Sequence, residues 1–392
     1  MVNTGFEVQV ISAGGLPGVE HDWALLAEHA IEPNPFYEPW MLLPALSVVE
    51  INREVEVALV WYRNPANAKA KPLLVGFFPL TIKRRYKGLP VSAANILTHI
   101  YCFSGAPLLH SEHAKPALDA YFRWQKAPAS GTRITTFQSL PTDGRFHQLL
   151  LDALHSHAHV HFIERRYTRA VYRCPADPAE YIAGHLSSKA LKHSRRQQEL
   201  LSEQGTLEFR QLAPDDDVAP WVNDFLQMEA SGWKGSVGTA LASLESHALF
   251  FRAVAQAAHE RHRLKMSGLW LNGRAIAART VFRAGEGSYL FKIAYDEAYA
   301  KYSPGTLLEL ACIRQEAGDQ HGWEDSCTSV NNMVYQRLWR DRRTVEDLAV
   351  SPGTFWGDLV LSVLPFLGFA KSRLSRLAAK RHEKATRSQH AE

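Results

Sequence analysis

Apolar and polar residues follow two different periods along this chain, and these periods predict its strands and helices. Runs typical of strands cover residues 265–273, 275–285 and 288–296. Apolar residues then recur at helical spacing over residues 306–320, beginning with Leu307, Leu308 and Leu310. The turn Ser303-Pro304-Gly305 therefore lies where a strand gives way to a helix, and we take it as the reference point for the rest of the sequence.

The order of predicted elements occurs twice. In the first half we predict strands at 6–10, 55–63, 73–85, 133–140 and 160–172, and helices at 19–30, 41–49, 114–124 and 145–156. In the second half we predict helices at 177–203, 218–229, 245–262 and 333–339, a glycine-rich loop at 231–239, and further strands at 206–212 and 323–327. The repetition predicts a duplicated α/β unit. Its parts would be an N-terminal domain at 1–174, a C-terminal domain at 175–350 and a tail, apolar and then basic, at 351–392.

Composition and charge narrow the class of protein. With 392 residues, 46% apolar and 21% charged, the chain is expected to be globular and to form two domains. The net charge is +4, but residues 371–392 hold seven Lys or Arg against two Glu, so residues 1–370 carry about −1. We therefore do not expect nucleic acid as a partner. Four separated cysteines and the lack of a recognisable signal sequence predict a cytoplasmic protein.

The turn at Ser303 has the composition of an anion-binding helix start. Serine suits a helix cap, proline suits the first helical turn, and glycine lets the backbone come close to a ligand. A helix N-terminus offers backbone N–H groups and the positive end of the helix dipole to a phosphate or pyrophosphate. Many helices begin in this way without binding anything, so the pattern alone leaves both readings open.

Three motifs in the second half resemble a known family. They are GWKGxxGTAL at 232–241, YDxxYAxxSPGxLLEL at 295–310, and DSC…RLWxDRR at 325–343, and NPFYEPW at 34–40 extends the likeness to the first half. The chain resembles the CelD-type bacterial acetyltransferases, named for cellulose biosynthesis and related to the Fem aminoacyl transferases. The resemblance implies an α/β (α+β) fold of tandem GNAT-like domains with mixed central sheets. It also implies an acyltransferase that uses acetyl-CoA or another acyl-CoA as co-substrate, with an acyl-carrier protein open as an alternative donor.

The resemblance and the residue chemistry together predict the site. The resemblance assigns the donor anchor to Tyr302, Ser303, Pro304, Gly305 and Thr306. Carboxylates suited to deprotonate an acceptor are Asp325, then Asp296 and Glu229, although each could instead cap a turn.

Trp233 and Lys234 could close over an acceptor, or Trp233 could plug the core. Lys192 and Arg196 share a helix face that could bind phosphates or simply be solvated. The alternating His155, His157, His159 and His161 straddle a helix end, so no metal is expected.

Three functions remain open at this point. The resemblance favours direct acyl transfer to an amine of a sugar, lipid-linked sugar or cell-envelope or exopolysaccharide precursor. The second reading is a Fem-like transferase that uses aminoacyl-tRNA. The third is a non-catalytic partner in polysaccharide assembly, docked on the inner face of the membrane by its basic tail.

Overall fold

The computed structural model describes residues 5–48, 54–67, 69–315, 322–328 and 332–366. The strands are β1 Phe6–Ser12, β2 Val55–Tyr62, β3 Leu73–Lys83, β4 Ala93–Ile96, β5 Leu108–Leu109, β6 Ile134–Pro141, β7 His161–Tyr172, β8 Leu207–Gln211, β9 Leu264–Leu271, β10 Arg274–Ala284, β11 Gly287–Tyr295, β12 Trp323–Asp325 and β13 Asp341–Val350. The helices are α1 Glu20–Glu28, α2 Pro39–Val48, α3 Ala114–Lys126, α4 Arg145–Ser156, α5 Pro178–His185, α6 Ser188–Ser202, α7 Val218–Ser231, α8 Trp233–Ser236, α9 Glu245–Glu260, α10 Pro304–Gln315, α11 Met333–Leu338 and α12 at 355–366.

Across the described ranges these strands form one mixed sheet of thirteen strands. Its order is β1-β2-β3-β4-β6-β13-β7-β12-β11-β10-β9-β8, with β5 beside β3. From either edge, four successive antiparallel strands lead to a parallel pair, which is β4 with β6 in the first half and β11 with β12 in the second. The predicted duplicated unit with a mixed sheet is confirmed.

The two units share the strands at the centre of the sheet. β13 comes from the end of the second half, yet it pairs antiparallel with both β6 and β7 of the first half. β7 in turn pairs antiparallel with β12 of the second half. We name β7 and β13 the central strand pair. The division at residues 174 and 175 stays a prediction, because each unit takes a strand from the far side of it.

Several local predictions differ from the structure. The helix predicted over 177–203 is two helices, α5 and α6, because the chain is extended at Leu186 and Ser187, and the Ser187 hydroxyl caps α6 by accepting from the Ala190 N–H. The predicted glycine-rich loop at 231–239 contains the short helix α8. The sequence patterns did not predict β4, β5 or β13. The predicted end of α10, at 316–320, lies outside the described residues.

The core runs without a break from one unit to the other. α2 packs against α9, its counterpart in the second unit, and the Trp40 and Phe282 rings lie 5.7 Å apart between centroids. Beside them the Glu38 carboxylate pairs with Arg263. Among the described residues we found no helix that is both long and apolar enough to cross a membrane. The predicted basic tail, 371–392, lies outside those residues.

Candidate active site

The parallel strands of the first unit separate after a short pairing, and the chain itself fills the space between them. β4 and β6 pair at Ala93–Asn95 with Ile134–Thr136. Beyond that point the segment at 102–106, which is buried except at Phe103, packs on β6, and a Cβ at Gly105 would lie 2.2 Å from the Gln138 carbonyl oxygen. The Asn34 amide donates to the carbonyls of Ser104 at 3.0 Å and Ala106 at 2.8 Å. We name residues 97–106 the plug segment.

The equivalent cleft of the second unit is open. β11 and β12 pair only at Gly287–Tyr289 with Trp323–Asp325. Beyond this pairing lies a cavity of about 410 Å³. Residues 290–295 of β11 form one wall, and the residues after β12, including Cys327 and Thr328, form another. Ile100 and Phe103 of the plug segment also line this cavity. The first unit therefore closes its own cleft and helps to wall the cleft of the second.

A β-bulge lies on β11 beside the cavity. Lys292 pairs with Thr280 and Leu290 with Val281, so Phe291 is an extra residue with no counterpart on β10. An extra residue of this kind leaves its backbone groups outside the ladder and redirects them. The backbone N–H of Phe291 is consequently a candidate donor to a ligand in the cleft.

A carboxylate and two lysines meet at the cavity wall. Glu229, at the end of α7, is buried, and Leu241 N–H donates to its Oε2 at 2.8 Å. Lys234 Nζ donates to Glu229 Oε1 at 2.8 Å and to the Ile293 carbonyl at 2.9 Å. Lys292 Nζ lies 3.9 Å from Glu229 Oε1. Burial lowers the pKa of Lys292, and Lys234 lowers it further, while Glu229 opposes the shift.

Two of these residues were predicted from sequence and one was not. Glu229 and Lys234 were candidates, and the structure brings them into contact. Lys292 was not, although a single lysine within the apolar strand 288–295 was a signal that could have found it. Its ammonium also lies 5.3 Å from the centre of the Tyr101 ring, which belongs to the plug segment.

Trp233 stands at the cavity without plugging the core. Its side chain is 56% exposed and lines the cavity, and its backbone N–H donates to Glu297 Oε1 at 2.6 Å. That hydrogen bond ties the start of α8 to the 3₁₀ helix Glu297–Tyr302 that follows β11. The exposed indole can therefore contact a ligand at the cavity mouth.

The other two predicted carboxylates lie away from Glu229. Asp325 is fully buried, and its Oδ2 lies 3.8 Å from Arg169 and 3.5 Å from Arg343, which belong to the central strand pair. It does not line the cavity described above. Asp296 pairs with Arg274 at 2.8 Å, caps the 3₁₀ helix through the Ala298 N–H, and lines a separate groove. Glu229 is the predicted carboxylate that reaches the cavity.

The predicted donor anchor follows that 3₁₀ helix. Tyr302 is buried, Ser303 is left-handed with φ 54°, and α10 begins at Pro304 as predicted. A Cβ at Gly305 would meet nothing within 4 Å, so the backbone there is open to a ligand. Thr306 and Leu307 N–H both donate to the Ser303 carbonyl. The anchor does not line the cavity itself.

Helix α6, which carries the predicted basic residues, borders this anchor. α6 packs against the 3₁₀ helix and α10, and Lys192 and Arg196 are exposed. Arg196 lies 3.5 Å from Glu199 and 3.7 Å from Glu203, so part of its charge is already compensated. Burial lowers the pKa of Arg314 on α10, and the positive charge of Arg195 on α6 lowers that pKa further.

No reactive thiol is indicated at the cavity. Burial raises the pKa of Cys327 well above its usual value, and the neighbouring Asp325 adds to the rise. A thiolate, the nucleophilic form, is therefore disfavoured. Within the described ranges no three His, Cys, Asp or Glu side chains are arranged to hold a metal ion.

We compared the sequence with protein-family models and curated proteins, and the fold with solved structures. The family model described as acetyltransferase (GNAT) domain matches residues 188–350. The chain is similar in fold to the crystal structure of FemX, with TM-score 0.54, 10% identity, and coverage of 88% of this chain and 96% of that one. It is also similar to a conserved protein of unknown function from Bacteroides thetaiotaomicron VPI-5482, with TM-score 0.51, 10% identity, and coverage of 88% and 99%. No curated protein sequence matches significantly. The fold is a tandem pair of GNAT-like units.

Proposed function

We propose that this chain, an acyltransferase with a GNAT acetyltransferase domain at residues 188–350, transfers an acyl group directly from acyl-CoA to an amine. The transfer would take place in the cleft between β11 and β12. One observation carries the proposal: this cleft is open and contains Glu229 with two lysines, whereas the equivalent cleft of the first unit is filled by the plug segment.

The residues present fit a thioester of a phosphorylated carrier. The open backbone at Gly305 and the twelve-residue helix α10 would hold the pyrophosphate at Ser303–Thr306. Lys192 and Arg196 of α6 lie on the helix that packs beside this point and would add positive charge. The free edge of β11 would hold the extended arm, and the N–H of Phe291 would donate to the acyl carbonyl oxygen. The bound thioester supplies an activated acyl group.

Glu229 is the residue that we propose as general base. An ammonium acceptor must lose a proton before it can attack a thioester. Glu229 lines the cavity, and both of its carboxylate oxygens are held in place, by Leu241 N–H and by Lys234. Lys234 and Lys292 lie within ion-pair distance of Glu229 and balance the negative charge of a carboxylate at this buried position. Because the pKa of Cys327 is raised, no covalent enzyme intermediate is proposed.

For the acceptor, we propose an amino group on a sugar or another cell-envelope or exopolysaccharide precursor, lipid-linked sugars included. The support is the resemblance of residues 232–241, 295–310 and 325–343 to CelD-type acetyltransferases, together with the exposed Trp233 at the cavity. Tryptophan faces suit stacking against sugar rings or bases. The exposed basic face of α6 beside the anchor favours a second candidate, a Fem-like aminoacyl transferase whose donor is aminoacyl-tRNA.

A thermal shift experiment tests the donor. Acetyl-CoA and longer acyl-CoAs should raise the melting temperature of the wild type, because a ligand that binds only the native state stabilises it. Ser303→Glu should abolish the shift by repelling the pyrophosphate, and Ser303→Gln, which has the same size without the charge, should keep it. An absent shift in the wild type would refute acyl-CoA as donor. A retained shift in Ser303→Glu would show that the anchor lies elsewhere.

A further inference from the structure

The outer face of α12 is apolar although it faces solvent. Five large side chains on it are exposed: Phe355 (73%), Trp356 (59%), Leu359 (43%), Val363 (39%) and Phe366 (74%). Their spacing places them on one side of the helix, within little more than a quarter of its circumference. Exposed apolar residues are common singly, but a contiguous set of this size marks an interaction surface.

The opposite side of α12 fixes this orientation. Leu361 and Leu364 are buried in a cluster with Tyr86, Val91 and other residues at the starts of β4, β6 and β7. At Gly357 a Cβ would lie 2.3 Å from the Arg133 carbonyl oxygen, so the helix is pressed directly onto the β6 entry. The apolar face is therefore presented outward by a helix that is packed against the body of the protein.

Exposed cationic residues lie near α12. Tyr86, which packs under α12, is flanked by exposed basic residues, and the Lys126 ammonium lies 3.5 Å from where a Cβ of Gly353 would be, just before the helix. The exposed members are Arg84, Arg85, Lys87 and Lys126. Nearby negative charge comes from Asp358 and from Glu164, which pairs with Lys87 at 2.9 Å. The chain beyond the described residues adds a net +5 over 371–392.

We propose that this face of α12 docks the protein on an anionic lipid surface. Aromatic and aliphatic side chains enter the boundary between headgroups and acyl chains, and basic residues around them meet anionic headgroups. The charge argues against two other occupants. A symmetric dimer through this face would bring the cationic residues near α12 of one copy close to those of the other. The basic tail, if it covered the face, would place its own positive charge beside the same residues.

The topology places the docking face and the open cleft at the same end of the central strands. β12 runs antiparallel to β7, and β11 runs parallel to β12, so both strands run toward the end of the sheet at which β7 begins. α12 packs at that end. An acceptor held in the lipid surface would therefore lie on the side toward which the cleft opens. This last step rests on the proposed function, whereas the docking itself does not.

Vesicle co-sedimentation tests the docking with the full chain. Wild type should bind vesicles that contain phosphatidylglycerol, and bind pure phosphatidylcholine vesicles much less. Replacing Trp356→Ser and Phe366→Ser together should lower the partition coefficient roughly tenfold or more. Leu249→Ser, which changes an apolar side chain on α9 that is 48% exposed, is the matched control and should bind as wild type. Binding of the double variant equal to wild type would overturn the proposal.

Two further full-chain variants separate the contributions of charge. Arg84→Glu with Arg85→Glu should weaken binding to anionic vesicles and reduce its dependence on salt. Changing the seven Lys and Arg of 371–392 to Gln should weaken binding without abolishing it. Complete loss in the tail variant, with normal binding by the aromatic variant, would assign docking to the tail and overturn the proposal.

Light scattering and the donor assay complete the test. A wild-type dimer that dissociates in the aromatic variant, without vesicle binding, would show that a second copy covers α12 and would also overturn the proposal. The acyl-CoA thermal shift is measured on the same variants and should be unchanged. Loss of docking with the shift intact therefore fails this proposal alone, and loss of the shift with docking intact fails the proposed function alone.

Discussion

At the scale of single residues, the candidate site depends on how a buried carboxylate is compensated. Glu229 is buried next to Lys234 and Lys292, and Asp325 is buried next to Arg169 and Arg343. Both are charges that a protein can bury only when they are paired. They differ in access, since Glu229 lines the cavity and Asp325 does not. A carboxylate that lines the cavity can contact a substrate there, so we propose Glu229 as the base rather than Asp325, which the sequence ranked first.

Glu229→Gln tests this preference. Glutamine keeps the size and an acceptor for Leu241 N–H but cannot take up the proton of the acceptor amine. We expect kcat to fall by about 10²–10⁴-fold. The acyl-CoA thermal shift should be kept, because Glu229 is not part of the anchor. Steady-state kinetics against Glu245→Gln, a control on the exposed start of α9, gives the comparison. A kcat close to that of wild type would exclude Glu229 as the base.

At the scale of elements, the plug segment has two roles that follow from one conformation. Its end, at residues 102–106, fills the first cleft against Gln138, and its Ile100 and Phe103 line the second cleft. The buried side chain of Asn34 holds that conformation by donating to two of its carbonyls and accepting from Phe36 N–H. Since buried carbonyls need partners, one amide fixes the segment on which both clefts depend.

Asn34→Ala should therefore affect stability and activity together. Loss of three buried hydrogen bonds should cost about 2–4 kcal/mol in the free energy of unfolding, measured with urea. KM for substrate should also rise, because the wall formed by Ile100 and Phe103 loses its support. Asn64→Ala, at an exposed turn where the side chain accepts from Ala66 N–H, is the control. Lower stability with unchanged kinetics would contradict the second role of the plug segment.

At the scale of the whole molecule, the central strand pair of β7 and β13 joins the two units into one sheet. β7 pairs with β12 and β13, and β13 pairs with β6, so each half supplies a central strand that the other requires. The charges on β13 are compensated in the same way by distant partners. Arg343 meets Asp143, and Glu346 meets His147 and Arg166. Neither half has a complete sheet without the other.

Fragments cut at the predicted boundary test this dependence. Residues 175–350 alone would expose the edge of β12 and leave β13 without either neighbour. We expect neither 1–174 nor 175–350 to give a cooperative unfolding transition alone, and co-expression to restore a complex. Near-ultraviolet circular dichroism and urea titration check this, with the full chain as reference. A native-like, cooperatively unfolding 175–350 fragment would establish it as an independent domain.

The sequence by itself determined most of the regular elements, the repeated order of the two units and the start of α10 at Pro304. These follow from apolar periods and turn residues within a few positions of one another, which is the range over which such patterns act. Among the strands that the patterns did not predict, β13 is the longest, and its charged residues hide the strand period because their partners are distant in sequence.

Only the tertiary structure decided which cleft is open, which carboxylate faces it, and that Lys292, Ile100 and Phe103 line it. It also decided that one face of α12 stays apolar and exposed. Each of these depends on contacts between segments far apart in the chain. No local period reports such contacts, because the energy of burying a charge or an apolar face is set by whichever distant residues pack against it.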